Sequence, residues 1–197
     1  MELANGSIGV PAGKLATIVT YLEMTSRPRA AVLPSGNWTI ERREHPSLSW
    51  YRELYRRIGQ DWLWFTRLIM TDEQLEPLIH RQGTEIYSLD FEGRSEGLLE
   101  LHFENGSCEL VFFGVTEKVR PLKVAKHLMA YAMDVAWSKP IQNLSVHTCT
   151  MDHPNALPFY IRAGFRPIQR QVEVMDDPRI EGLVPRQSAP HIPVITG

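Results

Sequence analysis

The sequence predicts an α+β fold, one mixed but mostly antiparallel sheet flanked by helices, from three of its features. Three strand-like segments, "EIYSLDFEG", "EGLLELHF" and "CELVFFGV", follow one another across short loops containing Gly93 and "ENGS". The Asn-Gly pair at 105 and 106 is the strongest turn signal in the chain. An amphipathic stretch, residues 121–138, then leads to a further strand, "NLSVHTC". A crossover of that length returns the chain in the same direction, so "CELVFFGV" and "NLSVHTC" are predicted to lie parallel. Helical patterns come before the meander, and a short helix and a last strand come after it.

The other elements follow in order. Residues 1–13, with Gly6, Gly9, Pro11 and Gly13, read as an irregular arm, and "KLATIVTYLEM" as a strand from its β-branched and apolar content. A Pro-bearing loop, "SRPRAAVLPSG", ends that strand, and a short one, "WTIERRE", follows. Ser47 or Ser49 caps a helix through "WYRELYRRIG", closed by Gly59. The segment "QDWLWFTRLIM" concentrates the aromatic residues. Thr71 with Gln74 three residues on is a capping-box pattern for a helix over 71–83, with a bend or break near Pro77. After "NLSVHTC" come a short helix, "NALPFYIRAG", a strand, "FRPIQRQVEVM", and a Pro-rich tail. The expected organisation is an arm over 1–13, a single domain over 14–175 and a C-terminal tail over 176–197.

A chain of 197 residues can bury a substantial core. Its 21 Lys and Arg against 23 Asp and Glu leave a formal charge of -2, so no global field draws it onto nucleic acid or an anionic membrane. Arg42, Arg43, Arg56 and Arg57 read as solvated faces rather than a nucleic-acid footprint. Apolar runs such as "ATIVTYL" fall short of the ~18 residues of a spanning helix, and no charged segment precedes an apolar one in signal-peptide order. The expectation is a cytoplasmic protein. Cys108 and Cys149 sit in strand-like segments, where reduced and buried thiols are expected.

In this layout, and in three stretches, the chain resembles the GNAT superfamily of N-acetyltransferases, the general-control-related enzymes. The stretches are "CELVFFGV" passing into helix 121–138, "HTCTMDHPNALPFYIRAGF", and "DWLWFTRLIM" with the helix after it. The second is the most specific, because "DHPxALPxYxxxGF" is a recurrent ending in bacterial members. The resemblance implies a GNAT fold whose parallel strands splay at a cofactor cleft. It also implies acetyl-CoA as cosubstrate and direct ternary-complex transfer of an acetyl group to an amine of a small molecule or peptide.

The strand-to-helix joint has its own physical logic, since a helix N-terminus offers unpaired N–H groups and positive dipole to an anion. In the family the anion is the pyrophosphate of acetyl-CoA, held by a loop of the form Q/R-x-x-G-x-G/A. Here Arg120 and Ala125 match the first and last positions, Lys123 stands at the central glycine, and Pro121 lacks an N–H. Lys118, Arg120, Lys123 and Lys126 offset the lost donors by charge. The implied cofactor-binding residues are Phe113, Gly114 and Val115 by their backbone, then Arg120, Leu122, Lys123, Val124, Ala125 and Lys126, and either or both of His153 and Asn155. Gly114 suggests a strand bulge, after which the parallel pair parts.

Strand alternation puts Glu109, Val111 and Phe113 on one face, so Glu109 is the candidate base for the amine proton. Tyr160 matches the family tyrosine that protonates the departing thiolate. Trp50, Trp62 and Trp64, with Tyr51 and Phe65, are candidate walls of the acceptor cleft, since the early helices flank it in this architecture. His147, Cys149, Asp152 and His153 could ligate zinc by residue type, but no further ligand pair stands at usual spacing, and no metal is expected. Two rival readings stay open, a GNAT-fold sensor with weakened catalysis and a structural subunit that associates through exposed aromatics. As partners, an amine acceptor is expected and a second copy of the chain is left open.

Overall fold

The computed structural model describes residues 5–28 and 36–197. The first four residues of the expected arm, and positions 29–35 of the Pro-bearing loop, lie outside the described residues. The element order is β1 (Lys14–Met24), β2 (Trp38–Arg42), α1 (Leu48–Gly59), α2 (Asp72–Ile79), β3 (Thr84–Phe91), β4 (Arg94–Glu104), β5 (Ser107–Val115), α3 (Ala125–Trp137), β6 (Asn143–Cys149), α4 (Ala156–Ala163) and β7 (Arg166–Asp176). They form a seven-stranded sheet of order β2-β3-β4-β5-β6-β1-β7. Among the described residues only the β5–β6 pair is parallel, across the α3 crossover. This is the mixed, mostly antiparallel GNAT-type α+β sheet that the strand pattern predicts.

Local chemistry sets the helix ends. Ser47 caps α1 by accepting from the Trp50 N–H at 3.3 Å, and Thr71 with Gln74 forms the capping box of α2. Helix α2 carries Pro77 and stops at Ile79, two residues later. The predicted helix over 121–138 begins later than expected. A 3-10 turn, Glu117–Leu122, contains Pro121, and Lys123 follows in the left-handed region at φ 58°, so α3 starts only at Ala125.

Apolar side chains fill both faces of the sheet. Leu22, Leu99, Leu101, Leu110, Leu144 and Phe165 pack beneath α3 and α4, and Tyr51, Leu54, Leu75, Ile86 and Leu98 beneath α1 and α2. Each fully buried side chain of this kind contributes about 1.5–3 kcal/mol. A third cluster joins Leu15, Leu63 and Met151 to Val184 and Ala189 of the tail. The tail has no regular structure, and buried Arg179 organises it by donating to the Ser188, Ala189 and Ile192 carbonyls and to Asp177.

Strand β5 departs from simple alternation, and this moves two expectations. Glu100 pairs with Phe112 while Leu101 pairs with Leu110, so Val111 is an extra residue and the bulge falls there rather than at Gly114. The bulge reverses the faces beyond it. Phe113 packs into the α3–α4 core beside Phe159, Phe112 packs under α1, and Glu109 therefore does not share a face with Phe113. Gly114 is a glycine because a Cβ there would run into Cγ2 of Ile58 on α1.

Candidate functional site

The β5–β6 register runs only from Ser107↔Asn143 to Leu110↔Val146, so the pair parts four residues before Gly114, at the Val111 bulge. Beyond that point neither strand pairs with the other, and each keeps its partner on its far side. A cavity of about 510 Å³ opens at the parting. Leu110–Val115 form one wall, Val146, His147 and Cys149 another, and Asn155, Ala156, Phe159 and Tyr160 a third. Tyr55, Ile58 and residues 62–66 lie along a further side, with Glu173 and Met175 of β7.

Basic residues gather at the α3 end. Arg120, Lys123 and Lys126 line the cavity with Ala125. The Lys123 N–H is spent on the Arg120 carbonyl at 3.0 Å, and Pro121 has none. The Val124 and Ala125 N–H groups meet no acceptor among the described residues, which leaves two donors and three cations for an anion. Two sequence expectations fail here as side-chain contacts. Val124 is fully buried in the core and can offer only its N–H, and Leu122 is 44% exposed and does not line the cavity. Lys118 is committed elsewhere, to Glu92 at 2.8 Å and the Phe91 ring.

Tyr160 reaches the cavity from α4, its ring packed edge-on to Phe113, Phe159 and Phe165. Burial first, and then the Asp152 charge, push its hydroxyl well above the ordinary phenol range. Its proton is therefore held until a stronger base is present. Both His153 and Asn155 line the cavity, with His153 Nδ1 accepting from the Asn155 N–H at 3.0 Å. Burial, and secondarily Arg120, hold His153 below the usual histidine range.

Of the expected aromatic walls, Trp62, Trp64 and Phe65 line the cavity. Trp50 does not. It sits at the start of α1, its indole N–H on Ser95 Oγ at 3.3 Å and its ring against Arg43. Tyr51 is buried, donating to Glu100 at 2.5 Å. Trp62 lies between the rings of His153 and the tail residue His191, at 4.8 and 5.7 Å.

Glu109 stands apart from the cavity and forms an ion pair with His147, which does line it, at 3.7 Å from Nδ1. The pair holds Glu109 below the usual carboxylate range and His147 above the usual histidine range. Cys149 is on the cavity wall and only half buried, contrary to the buried position expected of it, while burial pushes Cys108 up to about 12. Asp152 was not singled out as an anchor. It accepts from Thr148 Oγ1 at 2.7 Å and from the Cys149 N–H at 2.9 Å, a side chain tied back to the strand end as Asp commonly is.

The acetyltransferase (GNAT) domain family matches residues 60–176, more than half of the chain. No curated protein matches. Among solved structures, a GCN5-related N-acetyltransferase from Sphaerobacter thermophilus shares 14% identity at a TM-score of 0.59, over 90% of this chain and 54% of that one. A functionally unknown conserved protein from Staphylococcus epidermidis shares 14% at 0.57, over 83% of this chain and 63% of that one. The chain thus spans less than two thirds of these two. An aminoglycoside acetyltransferase from an uncultured soil metagenomic sample, in complex with sisomicin, shares 17% at 0.55, over 65% of this chain and 88% of that one. At these identities the likeness is one of fold.

Proposed function

Because the chain belongs to the acetyltransferase (GNAT) domain family, we propose that it is an acetyl-CoA-dependent N-acetyltransferase acting on a cationic amine of a small molecule or peptide. The observation that carries this is the parting of β5 from β6 beside a basic helix start. The residues fit the cosubstrate. The β6-facing edge of β5 over residues 111–115, whose other edge still pairs with β4 from Phe112 on, suits an extended amide-bearing arm, and unpaired groups on such an edge cost about 1 to 3 kcal/mol each when buried without a partner. The Val124 and Ala125 N–H groups with Arg120, Lys123 and Lys126 suit a pyrophosphate.

Acetyl-CoA supplies a thioester whose carbonyl carbon is open to attack by a neutral amine. The chain's residues orient that amine and move two protons. Trp62, Trp64, Phe65 and Tyr55 offer aromatic faces, with Asp152 and Glu173 as negative charges, a setting that favours a cation. The Glu109–His147 pair at the β5–β6 junction supplies the basic site for the proton the amine loses, and Tyr160 donates a proton to the departing thiolate. His153 and Asn155 flank the same space.

The test is an amine panel with acetyl-CoA and thiol release as readout. Turnover of at least one amine, with Tyr160→Phe lowering kcat while CoA binding persists, supports the reading. The left-handed Lys123 and the N–H-free Pro121 favour one alternative, a sensor that binds without turnover. CoA binding with no thiol release across the panel would establish that alternative.

A further inference from the structure

We propose that His147 is the catalytic base that takes the proton from the acceptor amine, with Glu109 a positioning residue that orients it; this rests on the acetyl-transfer reading above. The parallel β5–β6 register ends at Leu110↔Val146, so His147 is the first β6 residue past the last pair. It stands where β5 bulges at Val111, at the root of the opening the cosubstrate arm would enter. Its side chain lines the cavity and is 48% exposed, whereas Glu109 does not line it. Glu109 is 44% exposed but outside the cavity wall, so within the cavity it is the imidazole that stands within reach of the amine. The imidazole has both, a face in the cavity and a carboxylate partner.

The ring's orientation follows from its partner. Nδ1 lies 3.7 Å from Oε1 of Glu109, which leaves Nε2 on the side of the ring turned from the carboxylate. The other groups facing His147 are the Tyr21 ring of β1, at 5.7 Å, Asp152 in the loop after β6, and Glu173 on β7. The charged ones are all acidic, so each stabilises the imidazolium that forms when the proton arrives. Glu109 is held below the usual carboxylate range by the same pairing, which makes it a poor acceptor and a good permanent counter-charge.

The proton balance closes with residues already in place. The cationic amine first gives one proton to solvent; its lone pair then forms the C–N bond at the acetyl carbonyl carbon, and the C–S bond breaks with its electrons going to sulfur. The proton lost by nitrogen goes to Nε2 of His147. The Tyr160 hydroxyl supplies the proton that the thiolate gains, and the two residues exchange that difference with solvent before the next cycle.

Two measurements on the full chain test the assignment, one of which needs no turnover. In an NMR titration of the free protein, the His147 imidazole should titrate above an ordinary histidine, and Glu109→Gln should lower that midpoint. In thiol-release assays His147→Gln should lose roughly 100- to 10,000-fold in kcat/KM and lose the acid limb of the pH profile, with CoA affinity by calorimetry unchanged. Glu109→Gln should shift the acid limb by the amount the NMR midpoint moves. An active wild type whose acid limb survives in His147→Gln overturns this role and leaves the acetyl-transfer reading standing. A wild type that releases no thiol with any amine removes that reading, and this role with it, even if the NMR midpoint moves as expected.

Discussion

The indole N–H of Trp64 donates to Oδ1 of Asp152 at 3.0 Å, fastening the aromatic loop after α1 to the end of β6, 88 residues away in sequence. Both residues line the cavity, and Gly59 leaves the Trp64 ring the space a side chain would take. Trp64→Phe keeps an aromatic wall but removes the tether, a net loss of about 0.5–1.5 kcal/mol. We expect the acceptor KM to rise about two- to tenfold with CoA affinity unchanged. Equal losses in both would show that the loop serves the cosubstrate side as well.

Lys123 holds a left-handed backbone at φ 58°, a conformation that costs a non-glycine residue about 1–3 kcal/mol. Lys123→Gly should therefore raise thermal stability while weakening CoA affinity, because the strain leaves together with the charge. The affinity loss should shrink as salt rises, since screening already removes the lysine's contribution. Calorimetry at low and high salt, beside a melting curve, checks both parts. A gain in affinity would mean that lysine obstructs the loop.

Much of the fold was legible because capping and turn chemistry are local. Ser47, the Thr71–Gln74 box and the Asn-Gly turn before β5 each declare themselves within four residues. The Val111 bulge was not legible, because it is set by how β4 and β5 register and has no turn residue at its own position. Its consequence was to reverse the faces beyond it, which is why Glu109 and Phe113 part company. The placement of β1 between β6 and β7 was equally hidden, since it rests on pairing between the two ends of the chain. Within the site, Trp62 and Trp64 were legible from the aromatic run. Trp50 misled because it stands outside that run, in the first turn of α1, where its indole faces Ser95.

Gly114 is read as a packing glycine beneath Ile58. Gly114→Ala should destabilise the protein by about 1–3 kcal/mol, the cost of overpacking. Adding Ile58→Val or Ile58→Ala should restore part of the loss by denaturant unfolding. A double variant no more stable than Gly114→Ala would show that the glycine is needed for its backbone and not for the space.

Beneath the cavity, Glu100 accepts from the Tyr51 hydroxyl at 2.5 Å and pairs with Arg67 at 3.1 Å, all three buried. Burial raises the Glu100 carboxyl above its ordinary value even though Arg67 and Tyr51 pull it down. A carboxyl raised on folding binds its proton more tightly in the folded state. Its contribution is therefore full below the unfolded value, about 4.5, and is lost as pH rises through the folded one. Glu100→Gln should cost about 3–5 kcal/mol by leaving Arg67 without its anion, and Glu100→Gln with Arg67→Met should recover most of it. Unfolding free energies from pH 4 upward should show the wild type losing ground to that double variant. A constant difference would refute the sign.

The central claim is that the opening between β5 and β6, beside Arg120, Lys123 and Lys126, takes acetyl-CoA, and titration calorimetry with acetyl-CoA at low and high salt tests it most directly. We predict one site per chain, with an affinity that falls as salt rises because the phosphate contacts are carried largely by side-chain charge. No binding at low salt would contradict the account.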